Sequence, residues 1–153
     1  MNILFAGSPK SSARILEFLF KKDDISVVGA ITQPDKRSGR GKNLIESDVS
    51  LNANVLGIRT FKPENLNTNE IKDEISSLEI DFLVVVAYGK IIPEWLLKLP
   101  KISPINIHFS LLPKYSSVHT SSSLQLLFRH NSLIFILSNL SVAPLGRDRF
   151  THQ

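Results

Sequence analysis

A chain of 153 residues is long enough for one domain, which at that length buries roughly two-thirds of the surface its unfolded form exposes. With 42% apolar and 21% charged residues, the composition excludes wholesale disorder and a membrane-embedded class, and the lack of cysteine excludes a disulfide framework or thiolate zinc site and agrees with a cytoplasmic protein. The formal charge of +4 admits an anionic partner without identifying one.

Asn2 to Ala6 reads as a buried strand, followed by the turn Gly7-Ser8-Pro9. No basic leader precedes it, so no targeting peptide is expected. A helix with Ile15, Leu16, Phe18, Leu19 and Phe20 on its apolar side then runs to Lys21 and Lys22, cations suited to a helix C-terminus. Ile25 to Thr32 is a second strand, emptying into the polar loop 33–42. Ser47 is placed to cap a short helix that Gly57 ends, before a brief strand at Ile58 to Phe61. A further helix is predicted over Asn69 to Leu78. Asp81 to Ala87 contains the continuous run Phe82-Leu83-Val84-Val85-Val86, expected of a central strand covered on both faces. Pro93 opens a short helix with Trp95, Leu96 and Leu97, and Ile105 to His108 is the next strand. Strands alternating with helices predict a doubly wound, open, parallel α/β sheet. Its apolar runs are far short of the roughly 20 residues that cross a bilayer, so no membrane partner is expected.

Composition changes at Tyr115. All 11 lysines and 13 of the 14 acidic residues lie at or before it, whereas the last 38 residues hold eight serines, three of the four histidines and Asp148 as their one carboxylate. Three readings fit: a low-charge strand and loop region, a disordered Ser-rich tail, or sequence read in another frame.

In such sheets ligands bind beyond the carboxyl ends of the strands, after Ala6, Thr32, Ala87 and Ile107. Gly7-Ser8-Pro9 offers backbone N–H groups there, though a tight turn accounts for it equally. Asn106 and His108, two apart in one strand, project from one face. An Asn amide donates to an oxygen gaining negative charge in a tetrahedral intermediate, and a His near neutral pKa moves protons, so the pair suits carbonyl chemistry without a metal. A capped structural His is the alternative. Leu111 and Leu112, between Ser110 and Pro113, form either an apolar wall for a flat ligand or a plain hydrophobic loop. Lys36, Arg37, Arg40 and Lys42, set around Gly39 and Gly41, suit phosphates, or are a solvated basic loop.

Four segments together resemble the methionyl-tRNA formyltransferases: Phe5 to Pro9, Thr32 to Asp35 with Gly39 to Lys42, Val85 to Gly89, and Ile105 to His108 with Ser110 to Pro113. The Asn-x-His and Ser-Leu-Leu-Pro pieces are shared with other folate-dependent formyltransferases, including the glycinamide ribonucleotide enzymes. The Gln-Pro-Asp and Gly-Arg-Gly-Lys pieces are similar to the tRNA enzymes. The resemblance implies a Rossmann-like, mostly parallel sheet of the formyltransferase type, incomplete here, over residues 1–115. It implies transfer of a formyl group from 10-formyltetrahydrofolate to the amino group of initiator methionyl-tRNA in translation initiation, by a cytoplasmic monomer.

By the same resemblance, Asn106 holds the oxyanion and His108 handles protons. Ser110, Leu111, Leu112 and Pro113 contact the folate, Val86, Ala87 and Tyr88 help form the pterin pocket, and Lys36, Arg37, Arg40 and Lys42 reach the tRNA. Three departures follow. Phe109 stands where many relatives have a small residue. After Tyr115 neither the family's Arg-Gly-Ala helix entry nor its Asp-x-Gly-Asp loop is recognisable, and Asp148 does not match it. The tRNA-holding C-terminal domain is expected to be absent, so tRNA binding is expected to be weak and turnover low. The alternatives are a non-catalytic folate or RNA binding remnant, and a glycinamide ribonucleotide or sugar-nucleotide formyltransferase.

Overall fold

The computed structural model describes residues 1–38, 43–109, 124–129 and 132–137, the last two segments, and Ser38, Asn43, His108 and Phe109, as backbone alone. Nine strands and four helices occur among these residues: β1 (Asn2–Gly7), α1 (Lys10–Phe20), β2 (Ser26–Ile31), β3 (Lys36–Ser38), β4 (Asn43–Ile45), α2 (Asp48–Val55), β5 (Thr60–Phe61), α3 (Asn69–Ser76), β6 (Phe82–Val86), α4 (Glu94–Lys98), β7 (Ser103–Phe109), β8 (Leu124–Arg129) and β9 (Ser132–Leu137). Seven of the strands form one sheet in the order β5-β2-β1-β6-β7-β9-β8. All neighbours are parallel except β8 and β9. The expected Rossmann-like, mostly parallel α/β architecture is therefore what forms.

Two apolar layers cover the two faces. On one, Leu4, Ala6, Ile31, Leu83 and Val85 pack with Ile75 of α3 and Leu96 of α4. On the other, Ile3, Phe5, Val84 and Val86 pack with Leu16 of α1 and with Val49 and Ala53 of α2. Alternate residues of one strand serve opposite layers, as a period of two requires. This explains the unbroken apolar run of β6: it lies between β1 and β7 and has no solvent face.

Helix ends follow local chemistry. The Ser47 side chain accepts from Ser50 N at 3.0 Å and caps α2. At the other end Gly57 takes φ 70, with Gly57 N bonded to Asn54 O and Ile58 N to Ala53 O, the paired bonds of a Schellman ending. One expectation needs correction: the segment after Asp35 is not simply an irregular loop, because β3 and β4 pair as an antiparallel hairpin. Residues 39–42, including Arg40 and Lys42, lie outside the described residues. No helix among the described residues is long and apolar enough to cross a membrane.

Candidate functional site

The chain leaves β1 through α1 to reach β2 on one side, and later places β6 on the other. The loops after β1 and β6 thus part in opposite directions, opening a crevice at the strands' carboxyl ends. Residues that sequence reading had tied only to turns and motifs meet there. Ser8 Oγ donates to Tyr88 O at 3.1 Å and accepts from Gln33 N at 3.4 Å, while Gln33 Nε2 donates to Tyr88 O at 2.8 Å. One hydroxyl and one carbonyl therefore tie together the loops after β1, β2 and β6.

The Tyr88 carbonyl reaches this position because Ala87 adopts φ 46, a left-handed conformation costing a non-glycine residue about 1–2 kcal/mol. The reversal ends β6 and returns the Tyr88 ring to the core, 1% exposed. Its hydroxyl meets no partner among the described residues, and burial pushes its pKa up. Gly89 follows at φ 80, and a Cβ there would collide with Gln33 Nε2. Gly89→Ala is therefore expected to cost about 1–2 kcal/mol and to displace the Gln33 amide; a thermal midpoint equal to the parent's would refute both.

Two pockets flank Ala87. The first, about 360 Å³, is lined by Val85, Ala87, Tyr88, Gly89, Lys90, Asn106 and Ile107. Asn106 reaches it from a row of Cα partners across the sheet, Phe61, Ile31, Ala6, Val85, Asn106 and Ile134, in which it is the only polar residue. It is half-buried. His108 lies two residues further along β7, past the last residue of β6, and its side chain is outside the described residues, as are Ser110, Leu111, Leu112 and Pro113 altogether. Of the residues expected at the pterin pocket, Ala87 and Tyr88 line this space, Tyr88 with a ring that also packs in the core, whereas the Val86 side chain is fully buried in the opposite layer.

The second pocket, about 300 Å³, is bounded by Ser8, Pro9, Gln33, Lys36, Ile45 and Ser47 among others. Of the expected phosphate-contacting cations, Lys36 lines it; Arg37 is exposed beside it in β3. Sequence reading missed the ion cluster at the hairpin base. Lys62 Nζ lies 2.8 Å from both Asp35 Oδ1 and Glu46 Oε2. Hydrogen bonds from Lys62, then Ser50, hold the Glu46 carboxyl below its ordinary range. Burial alone would pull the Lys62 ammonium down, but its bonds to Asp35 and Glu46 outweigh this and raise it. Among the described residues no group of three or more His, Asp or Glu side chains could hold a metal ion.

A family described as Formyl transferase matches residues 1–125, the stretch that carries β1 to β7 and both pockets. The chain belongs to the formyl transferase family. Two curated relatives are methionyl-tRNA formyltransferases: that of Mycoplasmopsis pulmonis, 48% identical over 115 residues, covering 75% of this chain and 38% of that protein, and that of Thermotoga neapolitana, 43% identical over 115 residues, covering 75% and 36%. This formyl transferase chain thus spans little more than a third of their length. A crystal structure of phosphoribosylglycinamide formyltransferase from Anaplasma phagocytophilum superposes with a TM-score of 0.52 over 77% of this chain and 54% of that one, at 23% identity, a likeness of fold.

Proposed function

We propose that the first pocket accepts the formyl-bearing end of 10-formyltetrahydrofolate and passes the formyl group to the amino group of initiator methionyl-tRNA. The observation that carries this is the Asn106 amide, set in an otherwise apolar row and lining a pocket at the carboxyl ends of β6 and β7. The residues present fit such a donor: Val85 and Ile107 supply apolar wall, and Asn106 supplies a polar group. In the transfer, the bond from the formyl carbon to the folate nitrogen breaks as one forms to the methionyl nitrogen, and the proton lost by the amine is returned to the folate nitrogen. Asn106 donates to the carbonyl oxygen as it gains charge. His108, two residues on in the same strand, is assigned the proton. Ser110, Leu111, Leu112 and Pro113 would complete the folate contacts, and the cations Lys36, Arg37, Arg40 and Lys42 would meet tRNA phosphates without reading sequence.

Turnover by this chain is expected to be low. No counterpart of the family's Asp-x-Gly-Asp loop is recognisable after Tyr115, and losing one member of an acid–base unit costs orders of magnitude in rate. A glycinamide ribonucleotide acceptor is the second reading, because the segments Asn106 to His108 and Ser110 to Pro113 resemble those enzymes as well. The test is a single-turnover assay, chain in excess, with formyl-labelled donor and either charged initiator tRNA or glycinamide ribonucleotide as acceptor. Label on the tRNA alone is expected; label on the ribonucleotide alone would reassign the acceptor. Donor binding without transfer to either would favour a non-catalytic folate module, and no binding at all would overturn the proposal.

A further inference from the structure

The β3–β4 hairpin is a sheet of its own, three residues a strand, and among the described residues it pairs with no strand of the main sheet. A two-stranded ribbon of that size has little stability by itself. Its two feet are Asp35, just before β3, and Glu46, just after β4, and both meet Lys62, the residue after the edge strand β5. Because one nitrogen lies 2.8 Å from each carboxylate, the two carboxylates are themselves close neighbours, which would repel without a cation between them. The feet are not equivalent. Glu46 Oε2 also accepts from Ser50 Oγ at 2.6 Å and Asn54 Nδ2 at 3.3 Å of α2, whereas the Asp35 carboxylate is met among the described residues by Lys62 alone, at 2.8 and 3.1 Å.

The ladder decides what the hairpin shows to the site. Lys36 is opposite Ile45 and Arg37 opposite Leu44, and successive pairs of an antiparallel ladder face opposite sides. All four side chains are exposed, but Lys36 and Ile45 line the pocket beside Ser8 and Gln33 and Arg37 and Leu44 do not. A slip of one residue would exchange the faces.

We infer that Lys62 is a positioning residue that closes the hairpin at its base and fixes the Lys36–Ile45 face as a wall of the pocket. Its ligand consequence rests on the reading above, that these cations meet RNA phosphate. Two measurements on the full chain separate the clamp from that reading. In Lys62→Met, amide exchange at Lys36 to Ser38 and Asn43 to Ile45 is expected to rise about fivefold to tenfold, as loss of a paired, half-buried ion network allows, with β1 and β6 unchanged. Lys62→Arg should restore most of the protection. The triple variant Asp35→Asn, Glu46→Gln, Lys62→Met should recover part of it, since the repulsion is gone. Unchanged hairpin exchange in Lys62→Met, or protection lost equally from β1 and β6, overturns the inference. The second measurement is fluorescence anisotropy with a labelled RNA acceptor-stem hairpin. Lys62→Met and Lys36→Ala are each expected to raise the Kd severalfold, with Lys62→Arg near the parent. A loosened hairpin with unchanged RNA affinity would uphold the clamp and overturn the RNA reading alone.

Discussion

Asn106→Ala is expected to lower the single-turnover rate of formyl transfer by about 10²- to 10³-fold, the usual effect of removing one donor that faces a developing oxyanion. The loss should fall on the chemical step and leave donor affinity within a few-fold, because the amide's advantage exists only once charge has built up on the carbonyl oxygen. A melting curve for each variant, taken beside the assay, separates loss of the chemical step from loss of fold. Asn106→Asp should be at least as damaging, since a carboxylate would oppose the charge it is meant to receive. A parent rate no higher than that of Asn106→Ala, with both folded and both binding donor, would sink the assignment.

Gly7→Ala is expected to produce the largest loss of stability, about 1–3 kcal/mol of overpacking strain, or several degrees in the thermal midpoint of a domain this size. The reason is close approach. A Cβ on Gly7 would lie 2.8 Å from both Ser12 Cβ and Val86 O and 2.9 Å from the Phe5 ring. Val86 is the Cα partner of Gly7 in the parallel ladder, and its carbonyl already accepts from the buried Ser12 hydroxyl at 2.6 Å. No flexible side-chain end can move aside, so backbone must shift, and with it Ser8, which ties the three loops. Circular dichroism melting checks the stability, and a midpoint unchanged from the parent would show that the strands separate here without cost.

Much of this was legible because it is written locally. The run Phe82 to Val86 announces a strand buried on both faces, and Ser47 and Gly57 punctuate α2. What escaped is written at a distance. The hairpin at 36–45 lies in a stretch of cations and glycines with no alternation, and its feet are joined by Lys62 through partners 27 and 16 residues away. The bond from Ser8 to Tyr88 spans 80 residues. Gly7, readable as a turn glycine, is needed instead because two strands and a helix crowd it. Alternation along β6 sends the Val86 side chain to the layer opposite the one that holds Val85, so of the two only Val85 lines the first pocket, which no motif announces.

The return of the Tyr88 ring beneath the sheet has a genetic consequence. Its carbonyl belongs to the crevice while its ring shares a cluster with Ile75, Ile80 and Leu96, so the two kinds of neighbour are one residue's two ends. A screen scoring only loss of function should recover substitutions at Ile75 and Leu96 as well as around the crevice.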